Sequence, residues 1–131
     1  MDVERLKKGL LLKEFTSVDL VNIFGSRCQS IGRHLCLTAE ENFEAALEMA
    51  RTKDAEREEA RARGGEDAVR GLGELHGVPV SIKDTINMKG FLTTYGCAFL
   101  CAEEFRAKED ASVVTFYLRA GAIPIVRGNV P

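Results

Sequence analysis

Apolar residues recur at helical spacing at the start of the chain and predict two helices there. The first helix covers about residues 3–13, and its apolar positions are Val3, Leu6 and Leu10. The stretch TSVD (16–19) has the residue types of a capping box, with Thr16 as the cap, and predicts the start of a second helix. We expect Gly25 to end that helix, because glycine commonly follows a helix end. The apolar face of the second helix consists of Leu20, Val21 and Phe24.

A second capping-box pattern, TAEE (38–41), predicts the start of a third helix. Its apolar stripe consists of Phe43, Ala46, Leu47 and Ala50. Beyond Arg51 acidic and basic residues alternate, which favours a solvent-exposed helix end over an arm that binds nucleic acid. Glu59 and Arg63 have the spacing of an ion pair on such a helix, and the glycines at 64–65 predict a loop after it.

The apolar period changes to two in the stretch GVPVSIK (77–83). Alternation of this kind predicts a strand with two different faces. One face carries Val78, Val80 and Ile82, and the other carries Pro79, Ser81 and Lys83. The segment between residues 85 and 109 is long, and either a hairpin or a loop over the sheet edge fits it.

A helix and a second strand are predicted next. DASVVTFYLRAG (110–121) has an Asp110 cap, a helical apolar stripe and a stop at Gly121. The stripe consists of Val113, Val114, Phe116, Tyr117 and Ala120. The uniformly apolar AIPIV (122–126) is typical of a strand covered on both faces. Strand, helix and buried strand in this order predict a βαβ unit with parallel strands.

Parallel strands would place polar residues from both strand ends at one edge of the sheet. Lys83 and Asp84 end the first strand, and residues 127–129 follow the second. Open α/β sheets bind ligands at that edge, so Lys83 is a candidate catalytic group. The alternative is a lysine that extends from the strand end into water, and position by itself leaves both interpretations open.

Composition excludes several classes of function. With 18 basic and 20 acidic residues the formal net charge is −2, so there is no basic surface that would favour nucleic acid. We find neither a signal sequence nor an apolar run long enough to cross a membrane, and therefore expect a cytoplasmic protein with reduced thiols. A zinc site is not expected, because the four cysteines lack the usual ligand spacings. They are Cys28, Cys36, Cys97 and Cys101.

Two long stretches of the second half resemble one enzyme family. GELHGVPVSIKDTINMKGFLTTYGC and DASVVTFYLRAGAIPIVRGNVP are similar to the amidase signature family of serine amidohydrolases. They share G-x-P-x-x-x-K-D, K-G-x-x-T-T-x-G, and a helix that leads into A-G-A-I and a G-N turn. Upstream, TSVDLV and EENFEAALEMA resemble the helical lead-in of that family. IGRHLCLTAEENFEAALEMA and IVRGNVP resemble its eukaryotic branch of fatty-acid-amide-hydrolase-like enzymes.

The resemblance implies a fold, a reaction and a site. The implied fold is α/β/α, in which a helical lead-in (1–70) precedes the start of a mixed, partly parallel sheet (71–131). The implied reaction is hydrolysis of an amide C–N bond by a Ser–cis-Ser–Lys triad, without metal or cofactor. The implied substrate is a small amide, and the resemblance to the fatty-acid-amide-hydrolase-like branch implies a lipophilic one. The lysine of that triad matches Lys83. We place Thr94, Gly96 and Asn129 next to the site.

The chain also departs from the family pattern. The Gly/Ser-rich segment that carries both catalytic serines in the family is not found in residues 1–131. Ser81 lies on the Lys83 face but matches neither serine, and Cys97 stands where the family often has serine. We therefore expect the chain to be inactive by itself, as the N-terminal portion of an amidase. The alternative is a short, non-catalytic binding module derived from an amidase.

Overall fold

Residues 2–131, which the computed structural model describes, form four α-helices and three β-strands. The helices are α1 (Val3–Leu11), α2 (Ser17–Arg27), α3 (Phe43–Arg70) and α4 (Ser112–Arg119). The strands are β1 (Thr38–Glu41), β2 (Pro79–Lys83) and β3 (Ile123–Gly128). They form one sheet in the order β1-β3-β2. This is the mixed helix and sheet architecture that the sequence predicts.

The strands around α4 are parallel, as predicted. β2 pairs with β3 in parallel, and Lys83 lies opposite Gly128. Residues 123–127 of β3 are all buried, which confirms a strand covered on both faces. The two faces of β2 also differ as predicted, because Ser81 and Lys83 are exposed whereas Ile82 is 2% exposed.

The predicted helix start at TAEE is wrong, because these residues form β1. β1 pairs antiparallel with β3, which supplies backbone hydrogen-bond partners from a distant part of the chain. The N–H of Asn42 donates to the carbonyl of Ile125 at 3.0 Å, and the Asn42 amide donates to the carbonyl of Pro124 at 3.1 Å. Asn42 therefore links strand to helix, and α3 begins one residue later at Phe43.

Helix α2 begins as predicted but does not end at Gly25. Thr16 forms a complete capping box with Asp19. Gly25 lies inside the helix, where a Cβ atom would be 3.3 Å from the ring of Phe43. This glycine therefore provides close packing between α2 and α3, and the helix continues to Arg27 and into a single π-helical turn, Cys28–Gly32.

Helix α3 continues beyond the predicted loop. Gly64 and Gly65 have non-helical backbone angles, and φ at Gly65 is +64°, so the glycines kink the helix there. Helical geometry resumes and lasts to Arg70. Glu59 and Arg63 form the predicted ion pair at 3.9 Å, on a part of the helix where both side chains are exposed.

Helix α4 differs from the prediction in its cap and in its buried face. The Asp110 carboxylate accepts the N–H of Lys89 at 2.7 Å and does not cap the helix. Val114 and Leu118, four residues apart, pack against a cluster that contains Ile82. This contact turns most of the predicted apolar stripe toward solvent. The exposed positions are Val113, Phe116 and Tyr117. Gly121 ends the helix region with φ of +86°.

The segment between β2 and α4 is a loop with two short 3₁₀ turns, Ala98–Leu100 and Glu103–Phe105. Of the two alternatives left open for residues 85–109, the loop is therefore the correct one. No strand of a hairpin occurs in this part of the described chain.

A polar cluster joins α2, α3 and the segment that precedes β2. The Asp54 carboxylate accepts the N–H groups of Ser17 at 2.8 Å and Val18 at 3.1 Å, in the first turn of α2. Arg57, which is 5% exposed, donates to Asp54 at 2.6 Å, to the Ser17 hydroxyl at 3.0 Å and to the carbonyl of His76 at 3.2 Å. The cluster thus fixes both helices relative to the chain entering the sheet.

Candidate functional site

Lys83 lies at the carboxyl end of β2, on a face of the sheet that is open to solvent. Its neighbour across the ladder is Gly128, and the N–H of Asp84 donates to the carbonyl of Gly128 at 2.8 Å. A Cβ atom at position 128 would be 3.0 Å from the hydroxyl oxygen of Ser81. The glycine therefore leaves space beside the two exposed polar side chains of β2, Ser81 and Lys83.

Asp84 connects the end of β2 to the loop that follows. It is 1% exposed, and its carboxylate accepts the N–H of Thr94 at 3.1 Å and the Thr94 hydroxyl at 2.6 Å. The same hydroxyl oxygen accepts the N–H of Gly96 at 3.1 Å. Gly96 has φ of +78°, a backbone conformation that favours glycine. The predicted residues Thr94 and Gly96 are therefore held at the end of β2 through Asp84.

Arg127 is a second charged residue buried beneath this edge, beside Asp84. It is 1% exposed, and its Nη2 donates to the carbonyl of Ile86 at 2.7 Å and lies 4.0 Å from the Asp84 carboxylate. Burial lowers the pKa of Arg127, and the carboxylates of Asp84 and Glu40 oppose that shift. Nε and Nη1 of Arg127 have no hydrogen-bond partner among the described residues. The guanidinium nevertheless remains the countercharge nearest to the buried Asp84.

Asn129 ties the end of β3 to the segment before β1. Its backbone N–H donates to the carbonyl of Leu37 at 2.8 Å, and its side-chain amide donates to the carbonyl of Cys36 at 2.9 Å. Its side-chain oxygen accepts the N–H of Val130 at 2.9 Å. Each polar atom of the Asn129 amide therefore binds backbone, which makes this residue a structural anchor at the strand end.

A cleft of about 380 Å³ lies at the ends of the strands. It brings together three of the four residues that the sequence predicts for the site: Thr94, Gly96 and Asn129. Asp84 also lines the cleft, whereas Lys83, the residue before it, does not. Lys83 and Asp84 are thus neighbours in the sequence, but within residues 2–131 the exposed strand face that carries Lys83 is separate from the cleft.

The sequence analysis predicts that Asp84 and Arg127 lie at this edge, but it does not predict a role for either residue. One signal was present, since an arginine follows directly after an apolar run and must then find buried partners. The identity of those partners was not readable from the sequence. Arg127 meets Ile86, and Asp84 meets Thr94, only in the folded chain.

Two other expectations concern metals and membranes. Within residues 2–131 no cluster of three or more His, Cys, Asp or Glu side chains is placed to hold a metal ion. Nor does any helix in the described part combine the length and the apolar character that a bilayer crossing requires.

Comparison with known proteins identifies relatives over nearly the whole chain. The sequence profile of the family described as Amidase matches residues 19–131. Fatty-acid amide hydrolase 2-A of Danio rerio is 31% identical over 121 residues, which are 92% of this chain and 22% of that protein. Amidase 2 of Gibberella moniliformis is 29% identical over 131 residues, and the match covers 100% of this chain and 23% of that protein.

A solved structure gives the same result for the fold. The native peptide amidase from Stenotrophomonas maltophilia superposes with a TM-score of 0.82 at 29% identity, covering 99% of this chain and 25% of that one. The chain thus spans about a quarter of the length of the relatives that it matches. Profile, sequence relatives and fold agree, and the chain belongs to the amidase signature family.

Proposed function

We propose that this chain provides the general base, Lys83, of an enzyme that hydrolyses carboxylic amide C–N bonds through a Ser–cis-Ser–Lys triad. The observation that supports the proposal most directly is the place of Lys83 at the carboxyl end of β2, opposite Gly128 of a parallel strand. Ligands bind at this edge in open α/β sheets. Membership in a family of amide hydrolases gives the lysine a reaction to serve.

The proposed chemistry requires an uncharged amine. A lysine acts as a base only when its amine is neutral, and burial disfavours the charged form of such a group. The neutral amine accepts a proton through a bridging serine while a second serine attacks the amide carbonyl. The C–N bond then breaks, the leaving amine takes that proton back, and water hydrolyses the acyl-enzyme to the carboxylic acid and the free serine. Backbone N–H groups stabilise the oxyanion.

Residues 2–131 offer this base little of the burial it needs. Both Lys83 and its neighbour on the same strand face, Ser81, are exposed. In our proposal, further polypeptide of the amidase fold covers this face, removes water from it and brings the two serines. The chain by itself is accordingly proposed to be inactive, with Lys83 as its contribution to a shared site.

We propose a small amide as the substrate, with a lipophilic acyl group as the first class to test. The support is the similarity to a fatty-acid amide hydrolase, while another relative is named a peptide amidase. No cofactor and no nucleic-acid partner enter the proposal, and cytoplasmic location remains an expectation from the sequence. A panel of oleamide, a C-terminally amidated peptide and glutamine would identify the substrate class.

The test of the base uses the amidase in which residues 1–131 are joined to the remaining part of the fold. Lys83→Ala should lower kcat by about 10²–10⁴-fold, the usual contribution of a general base. Lys83→Arg should be equally inactive, because arginine stays charged and cannot accept the proton. Lys108→Ala is the matched control, since Lys108 is exposed and lies outside the cleft. Turnover close to wild type in Lys83→Ala would refute the assignment.

The second candidate function is a non-catalytic binding module. The observation that favours it is the exposed apolar face of α4, where Phe116 is 66% exposed together with Val113 and Tyr117. Sequencing the transcript beyond codon 131 distinguishes the two candidates. A Gly/Ser-rich segment that follows in frame supports the amidase, and a stop codon directly after Pro131 supports the module.

A further inference from the structure

A second cavity, of about 600 Å³, lies between α1 and the segment that joins α3 to β2. Its volume is within the range of small-molecule sites in proteins. None of the residues that line the cleft at the strand ends lines this cavity. It is therefore a separate site, to which the proposed amide hydrolysis assigns no role.

The apolar part of the wall comes from the end of α1 and the end of α3. Leu10 and Val69 are buried there, and Leu72 extends the same wall. Leu12 also lines the cavity, and it is 48% exposed. An apolar ligand that binds here would displace water from this exposed leucine and from the aliphatic side chains beside it, which favours binding.

The polar part of the wall is predominantly basic. Five basic and two acidic side chains line the cavity, in a chain whose formal net charge is −2. The two acidic ones, Glu4 and Glu74, both bind Lys7. Lys8 forms no ion pair with any described residue. Arg70 pairs only with Glu66 among the described residues, at 3.5 Å and with both side chains more than half exposed. Exposed pairs of this kind are weak, so Lys8 and Arg70 are available to a ligand.

We propose that this cavity binds an amphipathic anion, with an alkyl chain against Leu10, Leu72 and Val69 and a carboxylate or phosphate head group at Lys8 and Arg70. An alkyl chain matches the aliphatic wall, and an anionic head group matches the two available cations. A cationic amphiphile would place like charges together, and a neutral one would leave Lys8 and Arg70 without a partner.

The test uses isothermal titration calorimetry on the 131-residue chain with four octyl compounds: octanoate, octyl phosphate, octan-1-ol and octyltrimethylammonium. We expect saturable binding of the two anions, and their relative affinities distinguish a carboxylate from a phosphate ligand. Octan-1-ol should bind about tenfold more weakly, because a hydrogen bond to a charged group is lost. Equal affinity for octan-1-ol or for the cation, or no saturable anion binding by the folded chain, overturns the proposal.

Variants and amide chemical shifts locate the binding. Lys8→Gln and Arg70→Gln should each weaken octanoate binding by about tenfold, whereas the exposed Lys108→Gln should leave it unchanged. Circular dichroism verifies that each variant is folded. Shift changes on octanoate addition should concentrate in residues 8–12 and 69–76. Changes centred on residues 92–97 would place the anion in the cleft and refute the site. Since no hydrolysis is measured, the result is independent of the proposed amidase function.

Discussion

Replacement of Asp54 by alanine tests how the helical half of the chain is held to the sheet. The carboxylate of Asp54, on α3, accepts two N–H groups of the first turn of α2 and binds Arg57. The N–H groups at a helix start have no acceptor within the helix. A carboxylate there accepts their hydrogen bonds, and its negative charge interacts favourably with the positive end of the helix dipole. Alanine would remove these acceptors and leave the buried guanidinium of Arg57 without its carboxylate.

The expected loss can be worked from these contacts. A hydrogen bond to a charged group contributes about 1.5–3 kcal/mol, and removing one partner of a buried ion pair costs about 3–5 kcal/mol. The side chain of Arg57 is 6% exposed, but that of Asp54 is 20% exposed, so water replaces part of the loss. Arg57 also keeps its bonds to Ser17 and His76. We therefore expect Asp54→Ala to lower the free energy of unfolding by about 3 kcal/mol.

Urea unfolding followed by circular dichroism measures this change as a shift in midpoint at an unchanged slope. Asp54→Asn should restore part of the stability, since its amide oxygen still accepts a backbone N–H. Glu59→Ala is the control on the same helix, because Glu59 is exposed and its pair with Arg63 is 3.9 Å long. We expect that control to change stability by less than about 0.5 kcal/mol. A loss below about 1 kcal/mol in Asp54→Ala would show that the cluster does not hold α2 and α3 as argued.

The remaining predictions concern pH and the exposed helix face. Burial would raise the pKa of Asp54, but the N–H groups of Ser17 and Val18 and the Arg57 guanidinium outweigh it, so this pKa lies below its ordinary value of 3.8. The stability from Asp54 is therefore complete above that value and is lost as the pH falls below it, and urea midpoints between pH 5 and pH 2 should fall less steeply in Asp54→Ala than in wild type. Phe116→Glu should change the unfolding midpoint little and reduce self-association in sedimentation velocity, because Phe116 is 66% exposed; a large loss of stability would show that the ring is packed.

Local patterns were sufficient where one segment determines its own structure. The alternation in 77–83 predicts β2 because a period of two has no helical counterpart. The uniform apolar run 122–126 predicts β3 for a different reason, since it is too short for a buried helix. TAEE was assigned wrongly because four residues fit both a helix cap and a short strand. The choice is made by pairing with β3, which lies more than 80 residues away in the chain.

In the candidate site, too, local sequence was sufficient for one part, and the rest depends on contacts between distant segments. Lys83 was predicted as a site residue from its position at a strand end and from a resemblance, and both need only the sequence of residues 71–131. The strand end beside Lys83 is held by contacts of Asp84 with Thr94 and Arg127, and no spacing rule relates these three residues. The apolar stripe of α4 is a similar case. Its residues cover more of the helix than can touch the sheet, so the sequence does not show that Val114 packs inward while Val113 and Phe116 face solvent.

The sheet order also has a consequence for how the protein is made. β3 is the central strand and the last of the three in the chain, so every ladder hydrogen bond of the described sheet involves it. During synthesis the N-terminal helices can pack as soon as they emerge, whereas β1 and β2 have no strand to pair with. Contacts between such distant segments form slowly, and unpaired strand edges invite aggregation. Neither ladder of the described sheet can therefore form before β3 has left the ribosome.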